Sequence, residues 1–263
     1  AVTVCRQEGG AAMMAEAHGK LTGRPGVCFV TRGPGATNAA AGVHIAMQDS
    51  TPLVLFVGQI ERGARGREAF QEVDYRAAFG PLAKWATEVD DARRLPEIVA
   101  RAFSVACSGR PGPVVVALPE DMLTERAEVS DARALQPIAT APAPAQMERV
   151  LELLRQAQRP MAIVGGSRWD AEAVVRFQDF AAAHALPVAC SFRRQMLFDH
   201  QHPCYAGDLG LGVNPALLAR IRAADLLLLV GGRLSEVPSQ GYTLLDIPTP
   251  QIPLVHVHPD PDE

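Results

Sequence analysis

Short, almost unbroken apolar runs alternate along this chain with longer stretches in which apolar residues recur every three or four positions. The runs at 26–31 (Gly-Val-Cys-Phe-Val-Thr), 53–57 (Leu-Val-Leu-Phe-Val) and 113–117 (Pro-Val-Val-Val-Ala) predict strands, and residues 2–5 predict another. Residues 8–21, 36–47 and 93–106 predict helices. The same alternation returns further on. Helices are predicted at 147–156, 171–184 and 215–223, and strands at 161–165, 188–190, 226–230 and 254–257. Strands alternating with helices indicate a parallel sheet covered by helices. Strands that are apolar at successive positions indicate burial on both sheet faces. The expected fold class is therefore α/β, with two doubly wound domains and mainly parallel sheets.

Composition changes between these two series. Residues 139–145 read Ala-Thr-Ala-Pro-Ala-Pro-Ala, the composition of a semi-rigid extended linker. The expected division is a first domain at 1–128, a linker at 129–146 and a second domain at 147–263. A length of 263 residues suits two domains of ordinary size.

Charge narrows the function classes. The net charge is −4 and the arginines are scattered, so no basic stripe marks a nucleic-acid partner. No apolar run approaches the ~18 residues of a membrane span. The five cysteines have no metal-ligand spacing, and their odd number fits no complete disulfide framework. Cys5 and Cys28 fall in apolar strand patterns and read as buried reduced thiols, which points to a reducing, cytoplasmic setting. His200 and His202 lie in a polar stretch with no third ligand nearby, so they read as solvated or locally bonded.

Three segments carry candidate chemistry. Glu8 follows Arg6 and Gln7 at the junction of a predicted strand and a predicted helix. The run Thr31, Arg32, Gly33, Pro34, Gly35, Ala36, Thr37, Asn38 ends a strand, turns and opens a helix. Its glycines permit close backbone approach and positive φ, and its proline fixes the turn. It is neither a Walker A loop nor a Rossmann fingerprint. The run Ala69, Phe70, Gln71, Glu72, Val73, Asp74 comes about thirty residues later, with Lys84 beyond it. Gln71 can hydrogen-bond a carboxylate or carbonyl, and Lys84 can attract an anion.

Together these segments resemble the pyrimidine-binding domain of thiamine-diphosphate enzymes, most closely the acetolactate-synthase group. The resemblance implies that Glu8 hydrogen-bonds N1′ of the cofactor's aminopyrimidine. The 4′-imino nitrogen so favoured then takes the proton from thiazolium C2. That task calls for a carboxyl group in a dry pocket, protonated within reach of neutral pH. The resemblance further implies that Gly33, Pro34, Gly35, Thr37 and Asn38 shape the ring site. Phe70, Gln71 and Lys84 would then face a 2-keto acid at the mouth of a site shared by two subunits, in a homodimer or homotetramer.

In the second domain, Gly165 and Gly166, then Gly210 and Gly212, then Gly232 and Arg233 lie in Gly-rich loops after apolar runs. They form a possible nucleotide crevice. In the resembled family this domain holds FAD, ADP or nothing. The Gly-Asp-Gly…Asn run that holds Mg²⁺ and the diphosphate is not found here. The expectation is therefore a fragment, inactive alone, of a Mg²⁺-dependent transferase or lyase (a carboligase or decarboxylase). Alternatives are an oxalyl-CoA decarboxylase-like or sulfoacetaldehyde acetyltransferase-like enzyme, or a non-catalytic module binding FAD or ADP.

Overall fold

The computed structural model describes residues 2–134, 136 and 140–263. The chain divides into two compact units, Ala1–Ala139 and Thr140–Glu263. The expected division at residue 128, with a linker to 146, remains a proposal. Residues 137–139, part of that linker, lie outside the described residues.

In the first unit, α1 (Glu8–Thr22), β1 (Gly26–Val30), α2 (Pro34–Gln48) and β2 (Leu53–Gln59) follow one another. They are succeeded by a short α3 (Tyr75–Phe79), β3 (Trp85–Glu88), α4 (Leu95–Cys107) and β4 (Pro113–Pro119). The four strands form one sheet of order β1-β2-β4-β3, and every pairing is parallel.

Successive residues of β2 point to opposite faces, and each face has its own core. Leu53, Leu55 and Val57 pack with Ala12, Ala39, Val43 and Ala46 of α1 and α2. Val54 and Phe56 pack with Ile98, Ala102 and Ala106 of α4. Small residues let α1 and α2 approach closely, and the ion pair of Lys20 with Asp49 at 2.9 Å ties their last turns together.

The second unit contains α5 (Pro144–Gln156), β5 (Pro160–Val164), α6 (Ala171–Ala183), β6 (Val188–Ser191), β7 (Tyr205–Leu209), α7 (Pro215–Arg222), β8 (Leu226–Val230) and β9 (Leu254–Val257). Its sheet has the order β7-β6-β5-β8-β9, again parallel throughout. Ala162 and Val164 pack beneath Phe177, Phe180 and Ala181 of α6. Met161 and Ile163 pack against Leu217 and Ile221 of α7. Each unit is thus an α/β layer structure with apolar cores on both sheet faces.

Three expectations need correction. Residues 2–5 form no strand: Val2 and Val4 are each 92% exposed and join no ladder, and apolar character alone cannot make a strand without a partner for its backbone groups. Cys5 is accordingly only half-buried, whereas Cys28 is buried in β1 as expected. Nor is β1 covered on both faces. It is an edge strand, and Phe29 remains 69% exposed while stacking on Phe56 at 4.7 Å.

Candidate functional site

In a parallel sheet all strands end on one edge, and there the first unit gathers its polar loops. Gln7 caps α1, its side-chain oxygen accepting from the N–H of Gly10 at 2.7 Å. Glu8 is the first residue of the helix, where the backbone dipole favours negative charge. From the first turns of α2, Asn38 Nδ2 donates to Glu8 Oε2 at 3.1 Å. A Cβ on Gly35 would meet Thr31 Cγ2 at 2.8 Å and Glu8 Oε1 at 3.6 Å. The end of β1, the start of α2 and the start of α1 therefore converge on one carboxylate.

The Gly33 turn has a second neighbour. Gly33 adopts φ 58°, a left-handed conformation that a side chain would strain, and a Cβ there would lie 2.7 Å from Cβ of Gln71. Its N–H donates to the hydroxyl of Tyr75 at 2.8 Å in a buried contact. Gln71 itself sits at φ 67°, which is uncommon for a residue with a side chain. Its loop is held by Glu72, whose carboxylate accepts from the N–H groups of Gly66 and Ala69. Phe70 projects beside it, 79% exposed. Pro34 is the first residue of α2, and the Thr37 hydroxyl bonds back to the Pro34 carbonyl at 3.0 Å.

Of the residues expected from sequence, Glu8, Gly33, Gly35, Asn38 and Gln71 are thus brought together. Lys84 is not. It precedes β3 at the opposite, N-terminal edge of the sheet, and its ammonium donates to the carbonyls of Val105 and Ser108 at 2.7 and 2.6 Å. That holds the C-terminal end of α4. Tyr75 was given no role from sequence, although an aromatic ring with a polar tip directly after the capping Asp74 was a usable signal. Arg32, within the same turn, pairs with Glu120, a contact that sequence spacing does not reveal.

Electrostatics modify one expectation. The Glu8 carboxyl is held below its ordinary range, first because Asn38 donates to its charged form and then through a backbone hydrogen bond, with desolvation opposing only weakly. The dry pocket that would favour a proton on Glu8 is not made by this unit alone.

The second unit places Gly165 and Gly166 after β5, and Gly232 and Arg233 after β8. Between β5 and β8 the strand order reverses, the usual place for a ligand crevice. The two loops touch: a Cβ on Gly166, at φ 69°, would fall 1.6 Å from the carbonyl oxygen of Gly231. Trp169 Nε1 donates to the Gly165 carbonyl, His256 Nε2 lies 2.8 Å from the Gly232 carbonyl, and Arg233 pairs with Glu263. Gly210 and Gly212 follow β7, two strands away. His200 bonds the Gln195 carbonyl and stacks on Tyr205, and His202 accepts from the N–H of Cys204, so both are engaged locally.

Comparison with known proteins agrees with this arrangement. Residues 1–78 match the family model of the thiamine pyrophosphate enzyme N-terminal TPP binding domain, and residues 147–263 match that of the thiamine pyrophosphate enzyme central domain. The chain belongs to the thiamine pyrophosphate enzymes. Within this family it is 36% identical over 261 residues to the acetolactate synthase isozyme 2 large subunit of Escherichia coli K12, covering 99% of this chain and 47% of that protein. It is 32% identical to the acetolactate synthase large subunit of Corynebacterium glutamicum, covering 98% of this chain and 41% of that protein. Among solved structures, the Rhodococcus jostii RHA1 thiamine diphosphate-dependent 4-hydroxybenzoylformate decarboxylase superposes with a TM-score of 0.82 at 25% identity, over 98% of this chain and 49% of that one. The chain thus spans about half the length of the relatives it matches.

Proposed function

We propose that this chain forms the pyrimidine-binding and central domains of a thiamine-diphosphate-dependent carboligase or decarboxylase acting on 2-keto acids, of the acetolactate synthase type. The observation that carries this reading is the Glu8 carboxylate, pinned by Asn38 Nδ2 at 3.1 Å beside the Gly33 turn. The lack of a side chain at Gly35 keeps the start of α2 close to Glu8 Oε1, where a Cβ would stand 3.6 Å away. When bound there, thiamine diphosphate supplies the nucleophilic carbon that adds to the keto group of the substrate.

The chain's own part is positional and protonic. Glu8 Oε1 would hold a proton toward the pyrimidine of a bound cofactor, while Asn38 fixes the other carboxylate oxygen. A bound cofactor that excluded water from Glu8 would raise the affinity of that carboxyl for its proton. Gln71, locked against Gly33, presents its amide to the carboxylate or carbonyl of the acid, with Phe70 at the rim. Lys84 is not included among the substrate-facing groups, since its ammonium is engaged by two carbonyls.

Mg²⁺ and the diphosphate are assigned to residues outside this chain. Among the described residues no three His, Cys, Asp or Glu side chains gather to hold a metal ion. FAD or ADP at the β5–β8 crevice, a homodimer that completes the site, and a cytoplasmic setting that keeps five free thiols reduced belong to the same proposal. Among the described residues no helix is long and apolar enough to cross a membrane.

The test is Glu8→Gln in the full-length protein that carries this chain. Exchange of the C2 proton of bound thiamine diphosphate for deuterium, followed by NMR, should slow by orders of magnitude. Unchanged exchange refutes the assigned role.

A further inference from the structure

Arg32 lies inside the turn that faces Glu8, between Thr31, whose methyl group borders Gly35, and Gly33, which packs on Gln71. Its side chain is only 26% exposed, yet it is poorly satisfied. A guanidinium offers five N–H donors. One of them, on Nη1, meets Glu120 Oε2 at 2.5 Å. Nε is buried and has no hydrogen-bond partner among the described residues. Burying a guanidinium N–H without an acceptor is costly unless one arrives from elsewhere.

The surroundings indicate what arrives. Glu120 follows β4, and its N–H donates to the carbonyl of Gln59 at the end of β2. The Arg32–Glu120 pair therefore lies on the C-terminal edge of the sheet, the same edge as the Glu8 turn and the Gln71 loop. The planar fork of a guanidinium matches a carboxylate better than any other small anion-binding side chain does. Glu120 is the exposed partner, at 56%, and can swing away.

We propose that Arg32 is a binding residue for the carboxylate of the substrate acid, and that Glu120 occupies the guanidinium until the acid displaces it. This rests on the thiamine-diphosphate reading of the site. It makes Arg32 and Gln71, on either side of Gly33, a two-point clamp on the acid. It also gives Glu120 the part of an internal competitor.

That competition supplies a sign test. Oxamate, an unreactive keto-acid isostere, is titrated calorimetrically into the full-length protein saturated with thiamine diphosphate and Mg²⁺. Arg32→Met should weaken binding at least tenfold, and Arg32→Lys should recover part of the loss. Glu120→Gln should tighten binding several-fold, because the competitor is gone. A merely structural ion pair predicts that both Arg32→Met and Glu120→Gln weaken binding, and that result overturns the proposal, as does an unchanged affinity in Arg32→Met. Should Arg32→Met fail to fold, the near-isosteric Glu120→Gln still carries the sign. Deuterium exchange at C2 of the bound cofactor, run on the same samples, separates the two readings. Exchange with oxamate binding indifferent to these variants sinks the Arg32 assignment alone, whereas no exchange in the unaltered protein sinks the reading beneath it as well.

Discussion

Asn38 Nδ2 donates to Glu8 Oε2 across 3.1 Å, so the second helix holds the carboxylate that opens the first. Asn38 donates to the ionised form and so favours it, which is the leading reason the Glu8 carboxyl sits below its ordinary value. In Asn38→Ala the Glu8 carboxyl should therefore titrate at higher pH than in the unaltered protein. Carbon NMR of the side-chain carboxyl checks this. A group with a depressed folded-state pKa lends stability above its unfolded value and loses it as pH falls through the folded one. The acid limb of the unfolding curve should accordingly become shallower in the variant.

Tyr75→Phe removes the one acceptor given to the buried N–H of Gly33 while keeping the ring in its core. An orphaned buried donor costs about 1–3 kcal/mol. Urea unfolding should show a loss of that size, and affinity for thiamine diphosphate in the full-length protein should fall with it. A variant as stable as the parent would show that water or a rearranged turn replaces the hydroxyl.

Lys84→Met separates two accounts of one residue. Its ammonium holds the carbonyls of Val105 and Ser108 at the end of α4. Loss of such charge-assisted bonds should cost about 1–3 kcal/mol in unfolding experiments. Oxamate affinity in the full-length protein should stay as it was. A fall in affinity with unaltered stability would return Lys84 to the substrate.

Thiol chemistry distinguishes the cysteines. Cys190 lies buried in β6, and desolvation first, then the nearby Asp208, push its thiol up to about 12. Burial likewise raises Cys28. At pH 8 a maleimide should label the half-buried Cys5 well before Cys28 or Cys190, as mass spectrometry of digests would show. The neutral Cys190 thiol lends its stability fully below the ordinary value of 9.0 and loses it as pH rises toward about 12, so labelling and unfolding of the second unit should accelerate together in that range.

Much of this was legible from residue order. The runs at 53–57, 113–117 and 226–230 are buried strands, and the helices after Glu8 and Pro34 begin within two residues of expectation. Three shorter elements were not read. β3 has one large aromatic and no period, β7 carries Gly207 and Asp208 and looks like a loop, and α3 spans five residues. Each is held by neighbours rather than by its own pattern: β3 by pairing with β4, β7 by pairing with β6, and Tyr75 of α3 by Gly33. The convergence of Glu8, Asn38 and Gln71 was foreshadowed because each lies in a turn or near a helix start. The placement of Lys84 was not legible because charge says nothing of direction, and its reach to two carbonyls exists only after α4 has folded beside it. The surroundings of Arg32 and Tyr75 were not legible since their partners lie 88 and 42 residues away along the chain.

Gly33, which Tyr75 grips, caps helix α2, and five residues later the helix carries Asn38, which grips Glu8. A rigid rod gripped at two points transmits displacement. A shift of the Phe70–Gln71 loop, which packs on Gly33, should therefore be felt at Glu8 as a small change in the length of one hydrogen bond. On the function proposed above, occupancy of that loop and proton affinity at Glu8 would then be coupled without any domain having to move.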